Sequence, residues 1–204
     1  MNVGVCGIGY VGLVTAACLA HMGNRVYAYD VDQLKIDKLR KGETVIREKG
    51  LDGLLRQVTS SVGDAPNLIF TSNERETVSQ SEVLICAVGT PQKDGKLDTS
   101  YVWSLVASVA EHAWDNRKIF AVKSTVPVGT TREIQDYFRS HNKDIIAVHN
   151  PEFLAEGTAV SDTQKPDRIV IGTDDISVKD VFDELYGPFL RIKGSQSWIL
   201  GFSA

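Results

Sequence analysis

Short runs of apolar residues alternate along this sequence with longer stretches in which apolar positions recur every three or four residues. The short runs predict strands at Val3–Cys6, Arg25–Tyr29, Leu68–Phe70, Val83–Val88, Ile119–Val122, Ile145–Val148 and Arg168–Ile171. The longer stretches predict helices at about residues 11–22, 33–41, 50–60, 74–80, 99–115, 130–140 and 177–186. Strands this apolar need cover on both faces, so the alternation predicts a doubly wound parallel α/β sheet of the Rossmann type.

The same pattern divides the chain into one large domain and a short tail. Regular alternation continues through residues 1–193, whereas residues 194–204 predict an irregular tail. Within the domain, the segment Asp94–Leu97 is the least regular. A domain of this size removes roughly 70% of its unfolded surface from water, so we expect it to fold without disulfide bonds.

Composition narrows the class of protein without choosing a function. The apolar share of 43% and charged share of 24% are typical of a soluble globular protein. With a net charge of −4, the chain has no overall basic field that would hold nucleic acid or anionic lipid. The longest apolar stretch, Val11–Ala20, is too short to span a bilayer. We therefore expect neither a nucleic-acid partner nor a membrane partner.

The cysteines predict the compartment. Cys6, Cys18 and Cys86 each lie inside an apolar run, which is typical of reduced core thiols. We therefore expect a cytoplasmic protein, and we predict no metal site.

The first chemical motif follows the first predicted strand directly and opens a predicted helix. Its residues are Gly7, Ile8, Gly9, Tyr10, Val11 and Gly12. Gly7 permits a tight turn, Gly9 lets a pyrophosphate approach the backbone, and Gly12 lets the helix pack closely on the strand. The amino end of the helix then offers N–H groups to the phosphates. The motif predicts a dinucleotide site, with a glycine-rich turn that binds nothing as the alternative.

Asp30 indicates which dinucleotide this site would take. It ends the second predicted strand, 18 residues after Gly12, where a carboxylate can accept hydrogen bonds from ribose hydroxyls. The same carboxylate would repel a 2′-phosphate by about 4 kcal/mol at 4 Å. No arginine follows at positions 31–33, so NAD is favoured over NADP. Two alternatives remain open: Asp30 caps the next helix, and Lys35, the nearest cation, is a solvated helix residue.

Three more loops rich in glycine, proline and hydroxyl residues follow the carboxyl ends of predicted strands. They cover residues 88–91, 124–131 and 149–157. In an open parallel sheet this edge is where ligands bind, so we expect the three loops and the phosphate loop to border one crevice.

Three residues of these loops carry candidate chemistry. Thr125 can hold a water or a substrate oxygen, or it can serve as a helix cap or strand-end residue. Glu152 and Glu156 are four residues apart and would share one face of a helical turn. Asn150 as cap and Gly157 as stop would complete such a turn. In that alternative, Glu152 only stabilises the amino end of the turn.

Together these segments resemble the UDP-glucose/GDP-mannose dehydrogenase family, and within it the UDP-glucose 6-dehydrogenase branch. The resemblance covers about residues 1–190 and is carried by GIGYVG, Asp30, VGTP, STVPVGTT, NPEFLAEGTA and PDRIVIG. It implies two successive NAD-dependent oxidations that take the C6 alcohol of a UDP-sugar to a carboxylate.

The resemblance also implies roles for individual positions. It places NAD against Gly7–Gly12, Asp30, Lys35, Val88, Gly89, Thr90, Pro91, Gln92, Ser124, Thr125, Val126 and Glu156. It places the sugar against Glu152, Phe153, Leu154, Ala155 and Glu156. In this assignment Glu152 is a general acid/base, and Thr125 helps to hold the catalytic water.

Other parts of the family pattern have no counterpart within these 204 residues. The family continues into a central helix and a second α/β domain with a nucleophilic cysteine, which Cys6, Cys18 and Cys86 do not match. We therefore expect this chain to be incomplete as an enzyme and monomeric, and the full-length family protein to be a homodimer. A non-catalytic NAD-binding module and the same domain of a GDP-mannose dehydrogenase remain alternatives. A short-chain dehydrogenase is excluded because no tyrosine is followed four residues later by lysine.

Overall fold

The computed structural model describes residues 1–60, 66–112, 117–191 and 196–200. Its strands are β1 (Asn2–Cys6), β2 (Arg25–Tyr29), β3 (Leu68–Thr71), β4 (Val83–Cys86), β5 (Gln92–Lys93), β6 (Lys96–Leu97), β7 (Lys118–Val122), β8 (Ile145–His149), β9 (Arg168–Gly172) and β10 (Gln196–Leu200). Its helices are α1 (Tyr10–His21), α2 (Gln33–Arg40), α3 (Leu51–Thr59), α4 (Glu74–Gln80), α5 (Ser100–His112), α6 (Thr130–Ser140), α7 (Ala159–Gln164) and α8 (Lys179–Arg191).

Eight of these strands form one sheet, in the order β10-β9-β8-β7-β4-β1-β2-β3. Every neighbouring pair from β3 across to β8 is parallel. The chain builds outward from β1 to β3, then crosses back and builds the other way from β4 to β8. The predicted doubly wound sheet is confirmed, and its direction reverses between β1 and β4. Ligands of such folds bind at that reversal, outside the carboxyl ends of the strands.

The far edge of the sheet departs from the prediction. Strand β9 runs antiparallel to β8 and shares only the pair His149–Gly172 with it. Strand β10 then lies parallel to β9 over five pairs. The prediction of an irregular tail is therefore wrong for Gln196–Leu200, because this segment supplies hydrogen-bond partners to the outer edge of β9. Residues 192–195 and 201–204 lie outside the described part of the chain.

A short hairpin replaces the irregular segment predicted at Asp94–Leu97. Strands β5 and β6 are antiparallel and are joined by Asp94 and Gly95, which have φ values of 51° and 74°. Two successive positive φ values match a two-residue hairpin turn, and Asp-Gly is a common sequence for it. The prediction was wrong because this turn signal was missed. The helix α7 was also not predicted.

Two hydrophobic clusters pack on opposite faces of the sheet. Along β7 the side chains of Phe120 and Val122 join residues of α5 and α6, whereas Ile119 and Ala121 join residues of α1 and α8 on the other face. Helix α1 is buried on most of its circumference because it packs against α3 and α7 as well as the sheet. This packing holds the amino end of α1 at the point where the sheet reverses direction. No helix in the described ranges combines the length and the apolar character needed to cross a membrane.

Candidate functional site

The loop between β1 and α1 requires glycine for a different reason at each of three positions. Gly7 has a φ of 94°, and a Cβ there would lie 2.7 Å from the backbone nitrogen of Val88. A Cβ on Gly12 would lie 1.9 Å from the carbonyl oxygen of Gly7. A Cβ on Gly9 would meet no described atom within 4 Å. Gly7 and Gly12 are therefore needed by the fold, whereas the space at Gly9 is open to a ligand.

The amino end of α1 has the properties of an anion site. Gly9 is its N-cap, and no side chain among the described residues caps it. The N–H groups of the first helical turn are therefore left without an intrahelical or side-chain partner. Their partial positive charge faces the open space at Gly9, which suits the pyrophosphate of a dinucleotide.

Asp30 lies beside this loop at the end of β2 and is largely buried. Its Oδ2 accepts hydrogen bonds from the backbone nitrogen of Ile8 at 2.8 Å and from the Nζ of Lys35 at 2.7 Å. Its Oδ1 accepts one from the backbone nitrogen of Asp32 at 3.0 Å. A carboxylate has about four acceptor positions, so Asp30 keeps capacity for a ribose hydroxyl.

Both alternatives for this pair of residues are wrong. The N-cap of α2 is Asp32, whose side chain accepts from the backbone nitrogen of Lys35 at 3.1 Å, so Asp30 does not cap that helix. Lys35 is not a solvated residue either, because it forms an ion pair with Asp30. A 2′-phosphate at this position would have to compete with Asp30 for the charge of Lys35.

The carboxyl ends of β4 and β7 are tied to each other by Ser124. Its hydroxyl donates to the carbonyl of Val88 at 2.7 Å, and its backbone nitrogen donates to the carbonyl of Cys86 at 2.9 Å. Because Val88 also lies against Gly7, the loop 88–92 and the segment Ser124–Val126 lie at the same sheet edge as the phosphate loop. These segments therefore meet at one edge of the sheet, as expected from the sequence; the crevice itself stays a prediction.

Thr125 is exposed at this edge. Helix α6 begins at Thr130 and has Gly129 as its N-cap. Thr125 is therefore not a helix cap, and its hydroxyl is accessible at the edge of the crevice.

The loop that carries Glu152 does not form the helical turn considered for it. Residues 151–155 have no regular secondary structure, and a turn follows over residues 156–158. The side chain of Asn150 donates to the carbonyl of Val170 at 3.0 Å and accepts from the hydroxyl of Tyr186 at 2.6 Å. Asn150 therefore links β8 to β9 and α8 instead of capping a helix. The carboxylate of Glu152 accepts from the backbone nitrogen of Leu154.

The rest of this loop, residues 153–156, alternates between anchored and exposed positions. The ring of Phe153 is half exposed and lies 4.3 Å from the guanidinium carbon of Arg168. Leu154 packs against the core, and the backbone nitrogen of Ala155 donates to Asp162 at 3.1 Å. Glu156 is exposed. Leu154 and the backbone of Ala155 therefore attach the loop to the fold, while the side chains of Phe153 and Glu156 are exposed.

The structure adds a charged residue that sequence reasoning missed. Lys123 follows β7 directly and lines a cleft of about 380 Å³ together with Glu152 and Thr15. Burial lowers the pKa of Lys123 to about 8, and the charge of Glu152 partly opposes this shift. The hydroxyl of Thr15 is buried in the same region without a hydrogen-bond partner among the described residues. The sequence did contain a signal for this residue, because a lysine directly follows an apolar strand at the edge of the sheet where ligands bind.

A second cleft, of about 940 Å³, lies on the other side of the loop 126–129. Two of its arginines are paired with carboxylates: Arg117 with Asp175 at 2.7 Å and Arg139 with Asp136 at 3.3 Å. These charges are therefore used within the protein.

Comparison with known proteins gives one family and consistent relatives. The UDP-glucose/GDP-mannose dehydrogenase family, NAD binding domain, matches residues 1–190. The UDP-glucose 6-dehydrogenase of Rhizobium meliloti is 42% identical over 194 residues, which are 92% of this chain and 43% of that protein. The chain thus spans less than half the length of this relative.

Two solved structures share the fold over nearly the whole chain. A UDP-glucose dehydrogenase from Pyrobaculum islandicum superposes with a TM-score of 0.88 at 33% identity, covering 98% of this chain and 46% of that one. A GDP-mannose dehydrogenase from Pseudomonas aeruginosa, solved as a ternary complex, gives a TM-score of 0.86 at 31% identity, covering 100% and 46%.

Proposed function

The chain belongs to the UDP-glucose/GDP-mannose dehydrogenase family, and from that premise we propose that it is the NAD-binding part of an enzyme oxidising the C6 alcohol of UDP-glucose to a carboxylate. The observation that carries this proposal is the cradle at the amino end of α1. There the open space at Gly9 lies next to Asp30, which is bonded to Ile8 at 2.8 Å.

The residues present fit NAD. The uncapped end of α1 supports the pyrophosphate, and Asp30 supports the adenosine ribose. The segments 88–92 and 124–126, with Glu156, would then border the nicotinamide half. NAD, when bound, accepts a hydride from the substrate carbon.

The loop 152–156 is proposed to hold the sugar. In this assignment the carboxylate of Glu152 takes the proton of the C6 hydroxyl as the hydride leaves the carbon. The hydroxyl of Thr125 holds a water at the same edge. Lys123, whose pKa burial lowers to about 8, lines the same cleft as Glu152.

UDP-glucose is preferred over GDP-mannose as the substrate for two reasons. The NPEFLAEG segment at residues 150–157 resembles the UDP-glucose branch, and the relative at 42% identity is a UDP-glucose 6-dehydrogenase. The likeness to a GDP-mannose dehydrogenase keeps that sugar nucleotide as the second candidate.

A non-catalytic role for these 204 residues is favoured by one specific observation. Cys6, Cys18 and Cys86 are all fully buried, and burial raises the pKa of Cys18 to about 12 and that of Cys86 to about 11. A nucleophilic thiol must be accessible and readily ionised. We therefore propose that this polypeptide by itself binds NAD and does not complete the oxidation.

The test is a thermal unfolding series on the chain with NAD and with NADP. At 100 times Kd, NAD should stabilise the fold by about 2.7 kcal/mol, which corresponds to a rise in Tm of roughly 5–10 °C. A rise with NADP as large as that with NAD would overturn the cofactor assignment. Chemical-shift titration of the ¹⁵N-labelled chain with UDP-glucose and GDP-mannose then tests the sugar, with changes expected at residues 152–156 for UDP-glucose.

A further inference from the structure

A buried carboxylate outside the assigned site joins the phosphate loop to the substrate loop. Glu48 lies in the connection between α2 and α3 and is 9% exposed. Its Oε2 accepts hydrogen bonds from the hydroxyl of Tyr10 and from the backbone nitrogen of Gly157, the latter at 2.8 Å. The backbone nitrogen of Gly157 also lies 3.3 Å from the hydroxyl oxygen of Tyr10. Three segments distant in sequence therefore meet at one carboxylate oxygen.

The two partners of Glu48 are parts of the two proposed binding regions. Tyr10 is the first residue of α1 and follows Gly9 directly, where the pyrophosphate would lie. Gly157 has a φ of 89° and ends the loop that carries Glu152 and Glu156. Glu48 itself belongs to neither region, so its position indicates a link between them.

The ionisation states of these groups make the link strong. The hydrogen bond from Tyr10 lowers the pKa of Glu48, with further help from backbone N–H groups. Removal from water and the bond to Glu48 raise the pKa of Tyr10 to about 12. At neutral pH the contact is therefore a neutral hydroxyl donating to a carboxylate, and hydrogen bonds to charged groups exceed neutral ones in strength.

We propose that Glu48 is a positioning residue that couples the phosphate loop to the substrate loop, so that a dinucleotide bound at α1 restrains residues 152–157. The inference rests on the proposed function, because it takes those two loops as cofactor and substrate sites. A pyrophosphate at the amino end of α1 limits the motion of Tyr10. Since Tyr10 and Gly157 share one oxygen of Glu48, the substrate loop loses freedom with it. By linkage, a ligand held by that loop favours dinucleotide binding to the same extent.

The chain offers a second anchor for the same loop that does not involve Glu48. The backbone nitrogen of Ala155 donates to Asp162, which also accepts from the hydroxyl of Thr158 at 2.8 Å. This anchor attaches the loop to α7, and none of the hydrogen bonds described for it reaches residues 7–12. Removing Glu48 should therefore uncouple the loop from α1 while leaving it attached to the fold.

The experiment is hydrogen–deuterium exchange of the 204-residue chain, read on peptides covering residues 152–159, with and without saturating NAD. We expect NAD to slow exchange there in the unaltered chain by about tenfold, the equilibrium effect of one hydrogen bond to a charged group. Glu48→Ala and Tyr10→Phe should each abolish this NAD-dependent change. Glu48→Gln keeps an acceptor oxygen and should retain most of it. Glu43→Gln, which alters an exposed carboxylate of the same segment, is the matched control.

The outcomes separate this proposal from the proposed function. Retention of the full NAD-dependent change in both Glu48→Ala and Tyr10→Phe, or a loss in Glu43→Gln as large as that in Glu48→Ala, overturns the coupling. If NAD protects no residues of the unaltered chain, the proposed function fails. The link itself is then judged without NAD: faster exchange at residues 157–159 in Glu48→Ala than in Glu43→Gln supports it, and equal exchange overturns it. Should Glu48→Ala fail to fold, Tyr10→Phe and Glu48→Gln carry the comparison.

Discussion

The carboxylate of Asp30 accepts a hydrogen bond from the backbone nitrogen of Ile8 at 2.8 Å. Ile8 lies inside the phosphate loop, and Asp30 ends the neighbouring strand. This one contact therefore sets the distance between the part of the site that suits a pyrophosphate and the part that suits a ribose. The ammonium group of Lys35 donates a hydrogen bond to the same oxygen at 2.7 Å. Asp30 therefore neutralises the positive charge of Lys35.

Replacing Asp30 by alanine should change the cofactor preference. Asp30→Ala removes the acceptor for the ribose hydroxyls and leaves Lys35 without its carboxylate partner. The freed ammonium can then pair with a 2′-phosphate. We expect the rise in Tm with NAD to fall and the rise with NADP to increase, measured by thermal unfolding with each dinucleotide.

Asp32→Ala provides the matched control for this change. It removes the same charge two residues away and deletes the N-cap of α2, which should lower the free energy of unfolding by about 1 kcal/mol. The order of NAD and NADP should not change in this variant. An Asp30→Ala protein that still prefers NAD as strongly as the unaltered chain would contradict the role given to Lys35.

Two glycine substitutions should have opposite consequences. Gly9→Val places its side chain in space free of described atoms, so the Tm without ligand should change little while the shift with NAD disappears. Gly12→Ala puts a Cβ 1.9 Å from the carbonyl oxygen of Gly7, so the fold itself should be strongly destabilised. Circular dichroism melts with and without NAD distinguish the two. A Gly9→Val protein with an undiminished NAD shift would show that the pyrophosphate lies elsewhere.

Lys123 should make stability depend on pH in the alkaline range. Its pKa is about 8 in the folded chain because burial disfavours the ammonium, against an ordinary value of 10.5. Between these values the unfolded chain binds more protons, so the free energy of unfolding should rise with pH from about 8 to 10.5.

Lys123→Met tests that dependence. It should raise stability at pH 7 by on the order of 2 kcal/mol and reduce the alkaline rise, because the cost of burying this charge is gone. Urea unfolding at neutral and alkaline pH measures both effects. Lys38→Met, at an exposed position of α2, should show neither. A fall in stability at pH 7 in Lys123→Met would indicate that the ammonium makes a favourable contact.

The unaltered 204-residue chain should not carry UDP-glucose through both oxidations, because the second is expected to need an accessible, readily ionised thiol. Its cysteines are buried, and burial raises the pKa of all three. They should therefore also react slowly with a thiol reagent in the native state and rapidly in urea. Absorbance at 340 nm with NAD, UDP-glucose and a high protein concentration is the measurement. Formation of two NADH per sugar would require an unrecognised nucleophile, and Cys86→Ser would be the first variant to examine.

Glu152→Gln should impair chemistry more than folding. In a longer active polypeptide that includes these residues, loss of a general acid/base should lower kcat by about 10²–10⁴-fold and alter its pH profile. Thr125→Ala should also lower kcat, with little effect on the thermal shift caused by NAD. If kcat and its pH dependence are unchanged in Glu152→Gln, the carboxylate has only a structural role, as the acceptor of the hydrogen bond from the backbone nitrogen of Leu154.

The errors at Asn150 and at the tail share one physical cause. Asn150 and Gly157 have the spacing of a helix cap and stop, but Asn150 bonds to Val170 and Tyr186, 20 and 36 residues away. Those partners hold the segment in a path without regular secondary structure, which local spacing cannot reveal. The strand β10 was missed for the same reason, since a short segment at a sheet edge depends on the strand beside it.

The sequence by itself determined the order of the seven predicted strands and seven predicted helices and the position of the phosphate loop. Those features follow from short-range hydrophobic periodicity and from the conformations open only to glycine, as at Gly7. Only the tertiary structure decided that Lys35 pairs with Asp30, that Lys123 lies beside the cleft of Glu152, and that Glu48 joins two loops. Contacts such as Glu48 to Gly157 span 109 residues. Whether such groups meet depends on how the whole chain packs, because no local pattern encodes a distance across the sheet.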